Sequence, residues 1–182
     1  ALYDPFYGAD DNLASCWIAR HELRGECLIL NSDTLIETAI VERVLTKVSH
    51  PITVTIDRKD FYDADDMKVR TEGAQLVAIG KKLSADIVNG ESIGFLRFTT
   101  EGAARFVNEV ERIMRTPEGL KLWYLSVIHR IASLSGDVGY TSIEGLGWGE
   151  MDFLPDVAHN EALVAGWPQP ADRLATSAAG VA

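Results

Sequence analysis

The stretch that most constrains this chain runs from Glu26 to Ile36. Cys27, Leu28, Ile29 and Leu30 form a short apolar run of the length expected for a buried strand. A small polar turn, Asn31-Ser32, ends on Asp33, and helical spacing follows at once in Leu35, Ile36, Ile40, Val44, Leu45 and Val48. Open α/β sheets present ligand-binding side chains in this way, at the carboxyl end of a strand and just before a helix. The residues leave two roles open for Asp33. It is either a ligand-binding carboxylate or the N-cap of a helix over 35–48, because Asp is a favoured cap.

The remaining pattern is that of an α/β chain. A helix is expected from Asp10 or Asp11, with Leu13, Cys16, Trp17 and the run 20–23 at helical spacing, ended by Gly25. Residues 52–56 alternate and are rich in β-branched side chains, so they read as a strand. Strands at 67–70 and 75–79 flank Thr71-Glu72-Gly73 as a hairpin, and 92–98 reads as a further strand. Helices are expected over 100–115 and from Thr116-Pro117-Glu118 to about Leu134, the second ended by Gly136. Strands at 138–143 and 148–151 and a helix at 154–165 complete the pattern. Alternating helices and strands with an inserted hairpin favour a mixed sheet. The expectation is one domain over 1–167, with 168–182 as a flexible tail rich in Ala, Ser and Gly.

Charge narrows the partners. The 182 residues carry 17 Lys and Arg against 27 Asp and Glu, a formal charge of −10. No nucleic acid backbone is expected as partner, since that contact needs clustered cations. A single nucleotide remains compatible if a divalent metal bridges carboxylates and phosphates. No apolar run reaches the length of a membrane span, and no membrane is expected as partner. Cys16 and Cys27 sit among apolar residues and read as buried free thiols, consistent with a cytoplasmic protein. No Gly-x-Ser-x-Gly context occurs, neither cysteine has an evident base partner, and the four histidines show no metal spacing.

A second acidic constellation is Trp148-Gly149-Glu150-Met151-Asp152. In an extended chain Glu150 and Asp152 point to the same side, where two carboxylates suit a hard cation. Asp152 has its own alternative as N-cap of the last helix. Lys68, Lys81 and Lys82 are either phosphate contacts or solvated surface lysines. The aromatic residues Trp17, Trp123, Tyr124, Trp148 and Trp167 are core or interface residues unless several converge on a pocket.

In order along the chain, these pieces resemble the nucleotidyltransferase family related to sugar-phosphate nucleotidylyltransferases, and most of all its bacterial cytidylyltransferase branch, which activates phosphocholine and aminoethylphosphonate. Asp4-Pro5-Phe6-Tyr7 and Asp11-Asn12-Leu13-Ala14-Ser15 are similar to the family's segment before its first acceptor-side helix. Leu28-Ile29-Leu30-Asn31-Ser32-Asp33 resembles the strand that ends in a metal-binding Asp, and Trp148-Gly149-Glu150-Met151-Asp152 resembles the late acidic motif. Asp66-Met67-Lys68-Val69, Ile79-Gly80-Lys81 and Gly90-Glu91-Ser92-Ile93-Gly94 resemble the acceptor-side hairpin and the next strand. The resemblance spans about residues 3–165. The family's glycine-rich nucleotide loop does not stand in these 182 residues, so the expectation is a chain that starts inside a Rossmann-like fold, without its N-terminal strand. Asp11 and Ser32 also depart from the family's Asn and Gly.

The resemblance implies transfer of CMP from CTP, or of a nucleotide from another NTP, to a small phosphate or phosphonate acceptor, with release of pyrophosphate. It assigns Mg²⁺ to Asp33 and Asp152, with Glu150 as a further ligand. It gives Lys68 a catalytic role beside Asp33 and Asp152, and puts Asn31 and Ser32 in cofactor binding. Asn12, Ser15, Lys81, Trp123 and Tyr124 are implied for substrate binding. A choline acceptor would favour an aromatic box, whereas a primary amine would favour carboxylates such as Asp63 or Asp65. Two alternatives stand beside this reading: a truncated, inactive domain that binds a ligand or partner, and a sugar-phosphate enzyme using UTP or dTTP. A homodimer is left open.

Overall fold

A computed structural model describes residues 1–5, 7–8, 11–47 and 49–168. Apart from Pro168 the expected tail lies outside these residues, as do Phe6, Asp10 and Val48. The fold is mixed α/β. Six strands form one sheet: β1 (Cys27–Leu30), β3 (Ile52–Asp57), β4 (Lys68–Glu72), β5 (Gln75–Ile79), β6 (Gly90–Phe98) and β7 (Val138–Ser142). Their order is β1-β6-β3-β7-β5-β4. Among the described residues only β3 and β7 of this sheet run parallel, and its other pairings are antiparallel. Two short strands, β2 (Thr34–Ile36) and β8 (Trp148–Glu150), form a separate antiparallel ribbon.

The two faces of the large sheet are covered differently, as the alternation of side chains along its strands dictates. Ile52, Val54 and Ile56 of β3 and Leu96 and Phe98 of β6 turn to one face. There they meet α1 (Asn12–Ile18), α3 (Thr100–Ile113) and α4 (Tyr124–Ser135), which contribute Leu13, Phe106, Val110, Val127 and Ile128. Phe106 packs on Phe98 at a tilt and meets the Tyr124 ring edge to face. The opposite face carries a smaller cluster. Ile40 and Val44 of α2 (Thr38–Thr46) pack there on Ile93, Phe95 and Ile143. The same face carries Thr53, Thr55 and Arg97. At the outer strand β1, Leu28 and Leu30 remain 41% and 45% exposed.

The first residues of β6 knit the sheet together. Glu91 is paired with Asp57 of β3 on one side and Lys68 of β4 on the other. Further along, Gly94 adopts φ +71°, in the region that side chains disfavour. A Cβ at Gly94 would stand 2.4 Å from Asn31 Nδ2. Gly94 therefore lets the turn after β1 lie directly on β6, where the Asn31 N–H donates to the Gly94 carbonyl at 3.0 Å.

Most expected elements are present, with three corrections. The helix expected over 35–48 does not begin at Leu35. Thr34–Ile36 is the strand β2, and Glu37 is the N-cap of α2. Cross-strand pairing with β8 overrides the helical spacing of Leu35 and Ile36. The helix expected to start at Thr116-Pro117-Glu118 is instead a single 3-10 turn at Gly119–Lys121, and α4 starts at Tyr124. The first helix ends earlier than Gly25, at Ile18, and continues as a 3-10 turn over Ala19–His21. The last helix, α5 (Leu154–Ala165), has the expected bounds.

The Gly94 junction generates a direct prediction. Gly94→Ala combines an unfavourable backbone conformation with a clash on Asn31 and should cost about 2–4 kcal/mol of stability. Urea unfolding measures this, and a loss below about 0.5 kcal/mol would contradict the junction's role.

Candidate active site

The chain turns that the sequence singled out meet at one cavity of about 680 Å³. Asp33 reaches it because β1 ends against β6 and β2 then turns away into the ribbon. The ribbon supplies the partner residues. Thr34 is opposite Glu150, and the Met151 N–H donates to the Asp33 carbonyl at 3.0 Å. The Glu37 N–H donates to the Gly147 carbonyl at the ribbon's other end. Asp33, Glu150 and Asp152 all line the cavity.

Neither acid is a helix cap. Glu37 holds that position for α2, as described above, and Phe153 is the N-cap of α5. The carboxylate at the start of α5 is Asp156, which accepts the backbone N–H groups of Asp152 and Phe153 at 3.0 and 2.7 Å. That leaves the side chain of Asp152 available to the cavity it lines. Asp33 Oδ1 is buried and has no hydrogen-bond partner. Burial pushes the Glu150 carboxyl up, and the charges of Asp152 and Asp33 push it further. Helix α5 is pinned to the ribbon by Asn160, whose Nδ2 donates to the Glu150 carbonyl at 2.7 Å. Gly149 makes room for it, since a Cβ there would stand 2.3 Å from Asn160 Oδ1.

The other expected residues divide into two groups. Asn12, Asn31, Lys81, Trp123 and Tyr124 line the cavity, whereas Ser15, Ser32 and Lys68 are not among its lining residues. Ser15 Oγ donates to Asp4 Oδ2. Lys68 is buried, and its ammonium donates to the Lys81 carbonyl at 3.1 Å, where it braces the hairpin end. Tyr124 is also buried. Its hydroxyl donates to Asn31 Oδ1 at 3.1 Å, and its backbone N–H donates to Asn12 Oδ1 at 2.9 Å. Tyr124 thus fixes two cavity amides, and the desolvated phenol is pushed well above its ordinary range. Lys81 Nζ lies 4.8 Å from the centre of the Trp123 ring.

Sequence reasoning missed Lys59 and Glu91 as cavity residues. Lys59 Nζ bridges Glu91 Oε2 at 2.8 Å and Asp66 Oδ2 at 2.9 Å. The available signal was Glu91 itself, the one carboxylate within the nine residues of β6. Eight carboxylates and two lysines line the cavity, so it is strongly acidic. Among the described residues, no three His, Cys, Asp or Glu side chains form a metal-holding group by themselves. Both cysteines are free, and burial pushes the Cys16 thiol up to about 12. No helix among the described residues is long and apolar enough to cross a membrane.

Three solved structures share this architecture. The inositol-1-phosphate CTP transferase from T. maritima superposes with a TM-score of 0.65 at 16% identity, covering 80% of this chain and 57% of that one. The CTP:phosphocholine cytidylyltransferase from Streptococcus pneumoniae gives 0.64 at 16% identity, with coverage of 88% and 67%. A protein of Bacillus anthracis described as a glucose-1-phosphate thymidylyltransferase, solved with sucrose, gives 0.64 at 11% identity, with coverage of 88% and 64%. This is a nucleotidyltransferase fold. The chain spans about 57–67% of the length of these proteins. No family model matches the sequence, and no curated protein matches it.

Glu91 yields a pH prediction. Burial pushes its carboxyl from 4.5 up to about 7, while Lys59 pulls it back only in part. The native state then keeps a proton that the unfolded chain releases near 4.5, so stability falls as pH rises from about 4.5 to 7. Asp66 shifts the other way. Burial raises it, but hydrogen bonds from Lys59 and from the Asp63 N–H hold it below its ordinary value, so its contribution is lost only in stronger acid. Glu91→Gln should therefore gain about 1–3 kcal/mol relative to wild type between pH 4.5 and 7.5. Urea titrations at the two pH values measure the change, and a difference that does not move with pH would contradict it.

Proposed function

We propose that this protein transfers a nucleoside monophosphate, CMP in the first instance, from an NTP to a small phosphorylated or phosphonate acceptor. The observation that carries the reading is the convergence of Asp33 and Asp152, remote in sequence, on one acidic cavity in a nucleotidyltransferase fold. Two of the three structural relatives are named as users of CTP, and all three as enzymes of phosphate-bearing acceptors. In this reaction the acceptor's phosphate or phosphonate oxygen attacks the α-phosphorus of the nucleotide. A new P–O bond forms, the bond to the β-phosphate breaks, and pyrophosphate leaves with the electron pair. No covalent enzyme intermediate is needed, so the protein contributes positioning and charge control.

The residues suit that task. Asp33, Glu150 and Asp152 offer only oxygen donors, one of them buried and unpartnered, which fits a hard divalent cation such as Mg²⁺. Phosphate oxygens would complete its ligand set. Bound there, Mg²⁺ would offset phosphate charge during transfer. Asn12 and Asn31, both fixed by Tyr124, present amides to the cavity. Lys81 is the cavity lysine free of a carboxylate partner in the ion pairs of the described residues, and it is suited to an acceptor phosphate. Lys68, tied to the Lys81 carbonyl, acts on this reading by placing Lys81.

The test is pyrophosphate release from CTP and Mg²⁺ with a panel of acceptors, using the full-length protein. Asp33→Asn and Asp152→Asn should each lower kcat/KM by about 10³-fold, with unfolding midpoints close to wild type. Retained turnover in either variant would remove that residue from the site. Absence of release with every nucleotide and acceptor would overturn the transfer reading. A preference for UTP or dTTP would move the protein to the sugar-phosphate class.

A further inference from the structure

We infer that His129 is a positioning residue for the cavity lysine Lys81, and that uptake of a proton at its Nδ1 releases that lysine. The inference rests on the transfer reading above, in which Lys81 meets the acceptor phosphate, and it gives that site a pH-sensitive latch.

The latch stands where the sheet leaves a backbone donor without a strand. Among the described residues β5 pairs with β7 only at Gln75, opposite Gly139. On its other side β5 pairs with β4 as far as Ile79, opposite Val69. Ile79 is buried, and its N–H donates to Nδ1 of the half-buried His129 at 3.1 Å. Helix α4 thus takes over from β7 at the end of β5. The next two residues are Gly80 and Lys81. The Gly80 N–H donates to the Lys68 carbonyl at 2.9 Å, and the Lys68 ammonium donates to the Lys81 carbonyl at 3.1 Å. The Lys81 side chain returns to the same helix, where its ammonium lies 4.8 Å from the ring of Trp123, the N-cap residue of α4. One rigid element therefore holds both the backbone just ahead of Lys81 and its charged end.

The bond fixes the protonation state that it needs. A backbone N–H only donates, so Nδ1 carries a lone pair and the proton of the neutral ring sits on Nε2. A protonated imidazole has donors at both nitrogens. It would set an N–H against the Ile79 N–H and leave a buried donor unpaired. Imidazole is the side chain suited to such a change in weak acid. The groups around α4 are committed elsewhere. The helix packs on β5, α3, β7 and α1. β5 carries no ionisable side chain, and α1 carries only Cys16, whose thiol burial pushes up to about 12. Tyr140 of β7 donates its hydroxyl to the Gly73 carbonyl. The acids of α3 are paired, Glu101 with Arg105, Glu109 with Arg112 and Arg130, and Glu111 with Arg20. On α4 itself the residues one turn from His129, namely Leu125, Ser126, Ala132 and Ser133, are uncharged.

The experiment uses the full-length protein, with pyrophosphate release from CTP and 2-aminoethylphosphonate or phosphocholine, and with NMR of its backbone amides. His129→Leu, which removes the accepting nitrogen, should raise KM for the acceptor about 10-fold at about pH 8 and KM for CTP less than threefold. His129→Asn offers a carbonyl oxygen in place of Nδ1 and takes up no proton. It should bring KM for the acceptor back to within about threefold of wild type. From about pH 8 to about pH 5.5, KM for the acceptor should rise at least fivefold more in wild type than in His129→Asn. Glu91 and Glu150, both raised by burial, titrate alike in the two proteins and cancel from this ratio. A ratio constant with pH would overturn the inference, and so would a destabilised His129→Leu with an unchanged KM. On acidification the wild-type amide signals of Ile79, Gly80 and Lys81 should shift together with the His129 ring signal, and those of His129→Asn should not follow. Amide signals indifferent to the ring would overturn the inference even where His129→Leu does not fold. Coupled amide shifts without pyrophosphate release from any nucleotide and acceptor would leave the latch standing and overturn the transfer reading. Release with uncoupled amides would do the reverse.

Discussion

The two-stranded ribbon of β2 and β8 is the contact on which the site depends. The hydrogen bond from the Met151 N–H to the Asp33 carbonyl, with Thr34 opposite Glu150, joins the turn after β1 to a segment near the other end of the chain. Without it, Asp33 would end a strand and Asp152 would precede a helix, with nothing to relate them. The ribbon is in turn fixed from two sides. Gly94 lets the Asn31 turn rest on β6, and Asn160 of α5 reaches across Gly149 to the Glu150 carbonyl. Trp148 adds a tie to the sheet, its indole N–H donating to Asp57 Oδ2 at 2.9 Å.

These ties explain why so much negative charge can be held in one place. Carboxylates crowded in a cavity repel one another, and the raised positions of Glu150 and Glu91 express that strain together with burial. The backbone bonds and glycine contacts that place them do not depend on their charge, so the fold carries the repulsion and leaves it to be relieved by cations. Lys59 relieves it at Glu91 and Asp66. Asp33 Oδ1 is left without a partner.

Much of the architecture was legible in local pattern. The apolar run at 27–30, the β-branched run at 52–56 and the proline-marked helix at 154–165 each carry their own periodicity, and each is found where expected. What local pattern could not carry is pairing between distant segments. Leu35 and Ile36 share helical spacing with Ile40 and Val44, yet they form a strand because β8 is there to receive them. Tyr124 reads as an acceptor-lining aromatic; it does line the cavity, and local pattern could not show that it also braces the cavity amides Asn31 and Asn12. Lys68 reads as a phosphate contact or a surface lysine; it is buried outside the cavity lining, and its ammonium donates to the Lys81 carbonyl. Lys59 lies in an unremarkable stretch and Glu91 in a motif to which no site role was given, and only the closing of the sheet around the start of β6 brings them together.

The central proposal is that Asp33, Glu150 and Asp152, placed by the ribbon, would hold a divalent cation and through it the nucleotide's phosphates. Paramagnetic broadening by Mn²⁺ with CTP, read on the backbone amides of the full-length protein, addresses it most directly. The account predicts broadening centred on residues 31–34 and 148–152, weakened or abolished in Asp33→Asn. Broadening centred instead on residues 63–66, or unchanged by Asp33→Asn, would contradict it.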